Sequence, residues 1–342
     1  MKLYDNNGWI NAAELIDCRQ PFVLALGGRG IGKSYGILKT LYQRGTPFIY
    51  MRRTQTQIDA LAVPQLNPFN QIAKDLNEII LSAKLSKHTA GFYRGTLNDK
   101  GEPVPDGPPI GIAIALSTFA SIRSLSAEGY DVLFFDEIIP ERHERPIKEE
   151  GLAFSNVLES LNRNRELTGR PPIKIIMVSN SNTINSSIID AIGCIDAVDK
   201  MTRTGASYKN IDDLIAIYRY TNSPISKRKS ETALYKVIKN SDFQQMALNN
   251  MFAESDYENV KSFPLIEFYP VCSFGSSTIC KHKSKNLYYC VSGIKSENHY
   301  DSLPISKKAF QRKYYYIAGA IMDGKVFYQN VSVKIEIERA FK

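Results

Sequence analysis

The sequence predicts an α/β protein whose first domain is built on a mainly parallel sheet with helices on both faces. Short apolar runs alternate with helical patterns over residues 1–200, and one run leads through a glycine-rich turn into a helix. The crossover helices of a parallel sheet bury both faces of its strands, so the strands become continuous apolar runs. At 342 residues, the chain is longer than one hydrophobic core usually covers, which predicts a second domain.

The elements of the first domain follow from apolar runs and helical spacing. Pro21–Leu26 predicts a buried strand, and Lys33–Arg44 predicts a helix that ends before Gly45. Turn residues over 96–109 predict the tip of a hairpin. The other predicted strands are Pro47–Arg53, Ile110–Ser117, Val132–Phe135 and Ile173–Ser179, and the other predicted helices are Pro68–Leu81 and Leu152–Leu161.

The chain changes character near residue 200, which predicts three parts. Residues 1–200 form the first domain, 201–230 a polar linker or lid region with the basic cluster Lys227-Arg228-Lys229, and 231–342 a smaller domain. The smaller domain is predicted to hold strands Leu265–Ser273, Leu287–Ser292, Lys325–Gln329 and Val331–Glu336, and a helix Lys307–Ala318.

Composition limits the class of protein. Hydrophobic residues make up 43% and charged residues 23%, which is ordinary for a globular protein and excludes overall disorder. We find no apolar run of the roughly 18 residues that a membrane helix needs, and no apolar signal segment at the start. Five scattered cysteines argue against a disulfide framework. Cys272, Cys280, His282 and Cys290 lack zinc-site spacing, so buried thiols are expected there.

The net charge of +8 is confined to the C-terminal part. Residues 1–200 hold 22 basic and 22 acidic residues, and residues 201–342 hold the remaining 43 − 22 = 21 basic and 35 − 22 = 13 acidic residues. This asymmetry favours a polyanionic partner, although a merely soluble basic surface would have the same composition.

The glycine-rich turn predicts a phosphate-binding loop. Gly27-Gly28-Arg29-Gly30-Ile31-Gly32-Lys33-Ser34 matches G-x-x-x-x-G-K-[ST] between a predicted strand and helix. Glycines let the backbone curl so that N–H groups point at phosphate oxygens, and the helix adds the positive end of its dipole. Lys33 would neutralise the phosphates and Ser34 would bind Mg²⁺. We assign nucleotide binding to this loop and the following Tyr35.

Further polar residues lie where predicted strands end. Asp136 and Glu137 follow Val132–Phe135, and we expect Asp136 to hold Mg²⁺ and Glu137 to activate water. Asn180 follows Ile173–Ser179 and could sense the γ-phosphate, or form an ordinary turn. A guanine-specific Asn-Lys-x-Asp motif is absent from the sequence, which favours ATP over GTP.

Three arginines are candidates for completing the site from a neighbouring subunit. Arg163 and Arg165 follow the predicted helix Leu152–Leu161, and Arg123 precedes the Asp136 strand. Such an arginine stabilises transition-state charge, but solvated surface arginines are the commoner reading of this pattern. Tyr4 and Trp9 are aromatic candidates for covering the adenine, or for packing at the sheet edge.

The motifs together resemble the DNA-packaging ATPases (encapsidation proteins) of phi29-type podophages. The resemblance covers about residues 20–180 and is faint beyond. It rests on Gly-Gly-Arg-Gly-Ile-Gly-Lys-Ser-Tyr at 27–35, Phe-Ile-Tyr-Met-Arg-Arg at 48–53, Phe-Asp-Glu at 135–137 and Arg-Asn-Arg-Glu at 163–166.

The resemblance implies an ATP-driven motor that moves double-stranded DNA into a preformed procapsid through the portal vertex. It implies a P-loop fold of the additional-strand, catalytic-glutamate class, ATP and Mg²⁺ as cofactors, and a homo-oligomeric ring, a pentamer in this family. Lys33, Ser34, Asp136 and Glu137 match the family's phosphate, metal and base residues, Arg163 its trans-acting finger, and Arg123 a second inter-subunit residue. It places the protein in the bacterial host's cytoplasm, transiently on the portal and outside the mature virion, and leaves a structural packaging RNA open as a partner.

The smaller domain is expected to be RNase H-like and degenerate as a nuclease, because Pro270–Gly275 carries no Asp. Two alternatives remain: a large terminase with an active metal-dependent nuclease, and a nucleotide-switched DNA-binding scaffold. Some basic residues of this domain could contact DNA phosphates non-specifically, although a solvated basic face is the commoner reading for each of them. They are Lys281, Lys283, Lys285, Lys307, Lys308, Arg312 and Lys313.

Overall fold

The computed structural model describes residues 2–341, apart from 123–126, 142–143, 181–182, 240, 242–243, 245–246 and 249–255. The chain divides into two compact units. The larger unit comprises Met1–Ile192 and Met201–Phe252, and the smaller unit comprises Gly193–Lys200 and Ala253–Lys342.

The larger unit is built on a ten-stranded sheet in the order β3-β4-β6-β2-β7-β8-β1-β10-β9, with β5 paired to β4. The six strands from β6 to β10 in this order pair in parallel, and antiparallel strands extend both edges. The α/β class with a mainly parallel sheet is therefore confirmed. The strands are β1 (Phe22–Gly27), β2 (Phe48–Arg52), β3 (Ile79–Lys84), β4 (Thr89–Leu97), β5 (Pro103–Pro105), β6 (Gly111–Ala115), β7 (Val132–Asp136), β8 (Lys174–Ser179), β9 (Tyr208–Ile211) and β10 (Ile215–Tyr220).

The helices of this unit connect and cover the strands. They are α1 (Ala12–Asp17), α2 (Lys33–Gln43), α3 (Gln55–Leu61), α4 (Asn70–Leu76), α5 (Glu150–Asn162), α6 (Ser187–Ala191), α8 (Pro224–Ser230) and α9 (Ala233–Val237), while α7 (Ile195–Thr204) includes residues of both units. Short 3-10 turns lie at Pro64–Leu66, Leu116–Ile122 and Glu166–Thr168.

The strand order brings the predicted site residues to one edge of the sheet. β8 lies between β1 and β7 and is parallel to both, with Leu26 beside Ser179 and Asp136 beside Val178. The carboxyl ends of β1, β8 and β7 therefore adjoin, and this edge is where open α/β sheets bind ligands.

The smaller unit holds a five-stranded sheet in the order β14-β11-β12-β13-β15. β11, β12 and β13 form an antiparallel meander, and β14 and β15 add a parallel strand at each edge. Its strands are β11 (Phe268–Phe274), β12 (Ser277–His282), β13 (Tyr288–Ser292), β14 (His299–Tyr300) and β15 (Val326–Tyr328). Its helices after α9 are α10 (Pro304–Lys313), α11 (Tyr315–Met322) and α12 (Val331–Phe341), and a 3-10 turn lies at Leu265–Glu267.

The region predicted as a linker or lid, 201–230, instead supplies sheet strands. β10 pairs with β1 along its whole length, and β9 pairs with β10. The strand Ile215–Tyr220 is apolar and aromatic, but polar residues on both sides of it obscured the pattern. The boundary predicted at residue 200 is displaced accordingly, because the larger unit resumes at Met201.

Three predicted elements also differ from the structure. The helix over Pro68–Leu81 ends at Leu76, where Asn77 adopts the left-handed region (φ 53°), and the chain continues as β3. Val331–Glu336 is helical rather than extended, because Asn330 Oδ1 accepts a hydrogen bond from the Val333 amide at 2.9 Å and caps α12. The predicted helix Lys307–Ala318 is divided into α10 and α11 at Tyr314.

Within the described part of the chain, helices fall short of the length and hydropathy needed to cross a membrane.

Candidate nucleotide-binding site

The loop between β1 and α2 is a cradle that only glycine can form. Gly30 and Gly32 have φ angles of +64° and +90°, which L side chains rarely adopt. A Cβ atom on Gly28 would lie 2.5 Å from the Ala247 carbonyl oxygen, and one on Gly27 would lie 2.7 Å from Ile31 Cδ1. Gly32 immediately precedes α2, so the open amides of the helix start belong to this loop.

The Lys33 side chain is buried, and its amine contacts the backbone of the loop. Its Nζ donates to the carbonyl oxygens of Gly27 at 2.9 Å and Gly28 at 2.7 Å, and to Asn180 Oδ1 at 3.1 Å. Burial lowers the pKa of Lys33 to about 7, although the nearby carboxylates of Asp136 and Glu137 oppose this shift. Asn180, which follows β8, thus contacts Lys33 of the loop.

Ser34 and Asp136 are joined directly. Ser34 Oγ donates to Asp136 Oδ1 at 2.9 Å, and Tyr50 in β2 donates its hydroxyl to Asp136 Oδ2 at 2.9 Å. Asp136 is buried, and burial followed by the charge of Asp136 raises the pKa of Tyr50. A serine hydroxyl beside a carboxylate offers the hard oxygen ligands that Mg²⁺ prefers.

Arg52, at the end of β2, bridges the two acidic residues. Its guanidinium donates to Asp136 Oδ2 at 3.1 Å and to Glu137 Oε2 at 2.5 Å. The Glu137 side chain is 45% exposed, whereas that of Arg52 is 18% exposed. Glu137 has a φ of +59°, a conformation that its surroundings must stabilise. Arg52 therefore restrains the orientation of a carboxylate that otherwise faces solvent.

Lys33, Ser34, Asp136, Glu137 and Asn180 all line one cavity of about 310 Å³. Gly27, Gly28 and Ile31 shape the loop behind it, and Ile31 is fully buried. The lining residues are Arg29, Gly30, Gly32, Lys33, Ser34, Tyr35, Asp136, Glu137, Ser179 and Asn180.

Two contacts hold the loop from outside. The Arg29 guanidinium pairs with Glu141, and Lys229 Nζ in α8 donates to the Arg29 carbonyl oxygen at 2.7 Å. Lys229 belongs to the basic cluster noted in the sequence, so part of the predicted lid region does contact the loop.

The candidate trans-acting arginines lie elsewhere. Arg163 follows α5 on an exposed turn, where its Nε donates to the Ser160 carbonyl oxygen at 3.0 Å. It is not among the cavity-lining residues. Its neighbour Arg165 is buried and pairs with Asp131 at 2.7 Å, which is a structural contact. Arg123 lies outside the described residues.

Sequence reasoning missed the roles of Tyr50, Arg52 and Lys229. The first two were recorded only as part of the resembling segment 48–53. Arg52 is a polar residue at the end of an apolar strand, and Tyr50 lies within that strand; both positions become informative once β2 is known to adjoin β7.

A family profile described as "Podovirus DNA encapsidation protein (Gp16)" matches residues 4–264. This chain belongs to the podovirus DNA encapsidation protein (Gp16) family. The resemblance predicted from the loop and strand-end motifs is thereby confirmed. A search of curated proteins returned no match.

Two solved structures share the fold of this encapsidation protein along its whole length. The phi-28 gp11 DNA packaging motor is 16% identical, with a TM-score of 0.64 over 99% of both chains. The bacteriophage phi-29 viral genome packaging motor assembly is 17% identical, with a TM-score of 0.65 over all of both chains. At such low identity, these structures establish the fold alone.

Proposed function

We propose that this encapsidation protein is an ATP-driven translocase that packages double-stranded viral DNA into a procapsid through its portal. The observation that carries the proposal is the single cavity that joins the phosphate loop to Asp136 and Glu137. Family membership supplies the packaging context, and the two motor structures with the same fold support it.

The residues present fit ATP and Mg²⁺. The positive φ angles of Gly30 and Gly32 suit a curled loop whose backbone amides approach phosphate oxygens closely. Lys33 and the loop amides would hold the phosphates, and Ser34 with Asp136 would hold the metal. Bound Mg²⁺ would neutralise charge on the phosphate oxygens.

The chain's own residues account for the rest of the reaction. The Glu137 carboxylate is proposed to orient a water molecule and accept its proton. Arg52 holds that carboxylate through the 2.5 Å contact between its guanidinium and Glu137 Oε2. The positive charge of Arg52 also offsets the repulsion between the neighbouring carboxylates of Asp136 and Glu137. Asn180 Oδ1 accepts a hydrogen bond from Lys33 Nζ at 3.1 Å. Asn180 would lose this hydrogen bond when the lysine turns toward a bound phosphate.

We assign the ATPase to the additional-strand, catalytic-glutamate class. The interposed strand β8 between β1 and β7 supports this assignment, as does a second carboxylate directly after Asp136. Arg163 is proposed to act on the ATP of a neighbouring subunit in a homo-oligomeric ring, a pentamer by family resemblance. Its exposed position after α5 supports that role.

The smaller domain is proposed to be a degenerate RNase H-like domain that grips DNA or docks to the portal. The antiparallel meander β11–β13 supports the fold. Cys272 occupies the middle of β11 where a nuclease needs a carboxylate, and burial raises its pKa to about 12. Among described residues, no group of three or more His, Cys, Asp and Glu side chains is arranged for a metal ion.

We propose that the protein acts in the cytoplasm of the host, where it attaches transiently to the portal.

The decisive experiment compares ATP hydrolysis with and without double-stranded DNA in the wild type and in Glu137→Gln. We expect DNA to stimulate the wild type, and the variant to lose hydrolysis by about 100-fold or more while still binding ATP. Glu102→Gln is the matched control, because Glu102 lies exposed at the β4–β5 hairpin. Unchanged hydrolysis in Glu137→Gln would refute the assignment of the base.

The same preparation separates the alternatives. Metal-dependent DNA cleavage that survives Glu137→Gln would indicate an active nuclease. ATP binding without DNA-stimulated turnover would indicate a nucleotide-switched scaffold. In mixed rings, Arg163→Ala subunits should inhibit ATP hydrolysis by their wild-type neighbours. If the wild-type subunits hydrolyse ATP at their normal rate, Arg163 does not act on the neighbouring site.

A further inference from the structure

One large aromatic side chain remains half-exposed directly beside the phosphate loop. Trp9 is 43% exposed. A Cβ atom built on Gly32 would lie 3.2 Å from Trp9 Cε3 and 3.8 Å from Cδ2. The indole therefore packs against the last glycine before Lys33, and the rest of its surface stays open. Trp9 is not among the residues lining the phosphate cavity.

The indole is held in place by its own backbone. Asp5 Oδ1 accepts hydrogen bonds from the amides of Asn7 at 2.8 Å and Trp9 at 2.9 Å, and the Asp5 amide donates to the Trp9 carbonyl oxygen at 2.8 Å. The Ile10 amide then donates to the Ile31 carbonyl oxygen in the loop at 3.1 Å. This turn fixes Trp9 relative to the loop before any ligand binds.

The other aromatic candidate near the start of the chain is already used for packing. The Tyr4 hydroxyl donates to the Thr221 carbonyl oxygen at 3.0 Å, and its ring meets Tyr220 edge-on at 5.6 Å. Burial raises the pKa of Tyr4 to about 12. Tyr4 is thus a structural residue, whereas Trp9 keeps an open face.

A nucleotide bound by its phosphates at this loop has a base that must lie outside the phosphate cavity. The Trp9 indole, which is held against the last glycine of the loop, suits such a base. A base can stack on an aromatic side chain without specific hydrogen bonds to its edges. We propose that Trp9 is the stacking platform for the purine base of the nucleoside triphosphate. This inference rests on the proposed function.

The sole tryptophan of the chain makes the proposal directly measurable. Intrinsic fluorescence of the wild type should be quenched on saturation with the nonhydrolysable analogue AMP-PNP and Mg²⁺, and much less by inorganic tripolyphosphate, which has no base. Because base stacking on an aromatic side chain is worth about 1–3 kcal/mol, Trp9→Ala should weaken AMP-PNP binding by about 5- to 150-fold. Tripolyphosphate affinity should stay unchanged, with both affinities measured by calorimetry.

Two further variants complete the test. Trp9→Phe keeps an aromatic face and should retain AMP-PNP affinity within about threefold. Tyr315→Ala removes an aromatic side chain that is 73% exposed in the smaller unit, and it should leave both affinities unchanged.

The outcomes separate this inference from the proposed function. Equal weakening of AMP-PNP and tripolyphosphate by Trp9→Ala would mean that Trp9 only shapes the loop, which overturns the proposal. Unchanged AMP-PNP affinity in Trp9→Ala would also overturn it while leaving nucleotide binding intact. Failure of the wild type to bind either ligand would overturn the proposed function itself.

Discussion

Raising the pH should weaken nucleotide binding through Lys33. Burial lowers the pKa of this lysine to about 7 from its ordinary 10.5, so its charge is lost on moderate alkalinisation. We expect phosphate binding to require the charged form. Titration of the ligand's own terminal phosphate is a separate contribution, so the wild type must be compared with a variant that carries a non-titrating cation at position 33.

The expected magnitude follows from the fraction of charged lysine. With a pKa of about 7, roughly half of Lys33 is charged at pH 7 and about 1% at pH 9. If bound phosphate keeps the amine protonated, affinity falls about 50-fold over that range. Stability of the nucleotide-free protein changes in the opposite direction. The unfolded chain binds more protons than the folded chain between the two pKa values, so this group makes unfolding less favourable as pH rises from about 7 to about 10.5.

Calorimetric titration with AMP-PNP in buffers of different ionisation enthalpy measures both affinity and proton uptake. Uptake should rise from about half a proton per nucleotide at pH 7 toward one at pH 9. Lys33→Arg carries a charge that does not titrate in this range, and any affinity it retains should be independent of pH. Constant wild-type affinity without proton uptake between pH 7 and pH 9 would refute the argument.

Three other changes test side-chain contacts, two in the larger unit and one in the smaller unit. Arg53→Ala should lower the free energy of unfolding by about 3–5 kcal/mol in urea titrations, because it strips the buried carboxylate of Glu150 of its 2.7 Å partner; adding Glu150→Gln should recover part of that loss. Arg52→Ala should reduce ATP hydrolysis at least about tenfold with AMP-PNP affinity within a few-fold, since the Glu137 carboxylate loses its restraint; equal loss of binding and hydrolysis would contradict a positioning role. Asn330→Ala should lower stability by about 1 kcal/mol in thermal denaturation, and an unchanged melting temperature would contradict the cap of α12.

The sequence predicted the strands that meet at the candidate site better than several elements elsewhere in the chain. Apolar runs with a polar terminus identified β1, β7 and β8, because fully buried strands leave an unambiguous pattern. The prediction of a strand over Val331–Glu336 was wrong because β-branched residues alternate along this segment, as they do in a strand. The helix that it forms has a wide buried face, which accommodates this alternation. Ile215–Tyr220, which pairs with Phe22–Gly27, was missed because the polar residues on both sides of it obscured a short apolar and aromatic run.

Strand order also explains why Arg52 could not be assigned from the motifs alone. An arginine at the end of an apolar strand is ordinarily a solvated residue. It becomes part of the site because β2 adjoins β7, which brings Arg52 within 3.1 Å of Asp136. The same geometry gives the site a physical link to the rest of the sheet, since β2, β7, β8 and β1 are consecutive neighbours and each ends in a residue of the site. A displacement of Glu137 must therefore disturb Arg52 and β2, whereas a displacement of Lys33 acts through Asn180 and β8. Arg52 also contacts Asp136, which bonds Ser34 of the loop, so β2 is linked to both carboxylates while β8 is linked to Lys33.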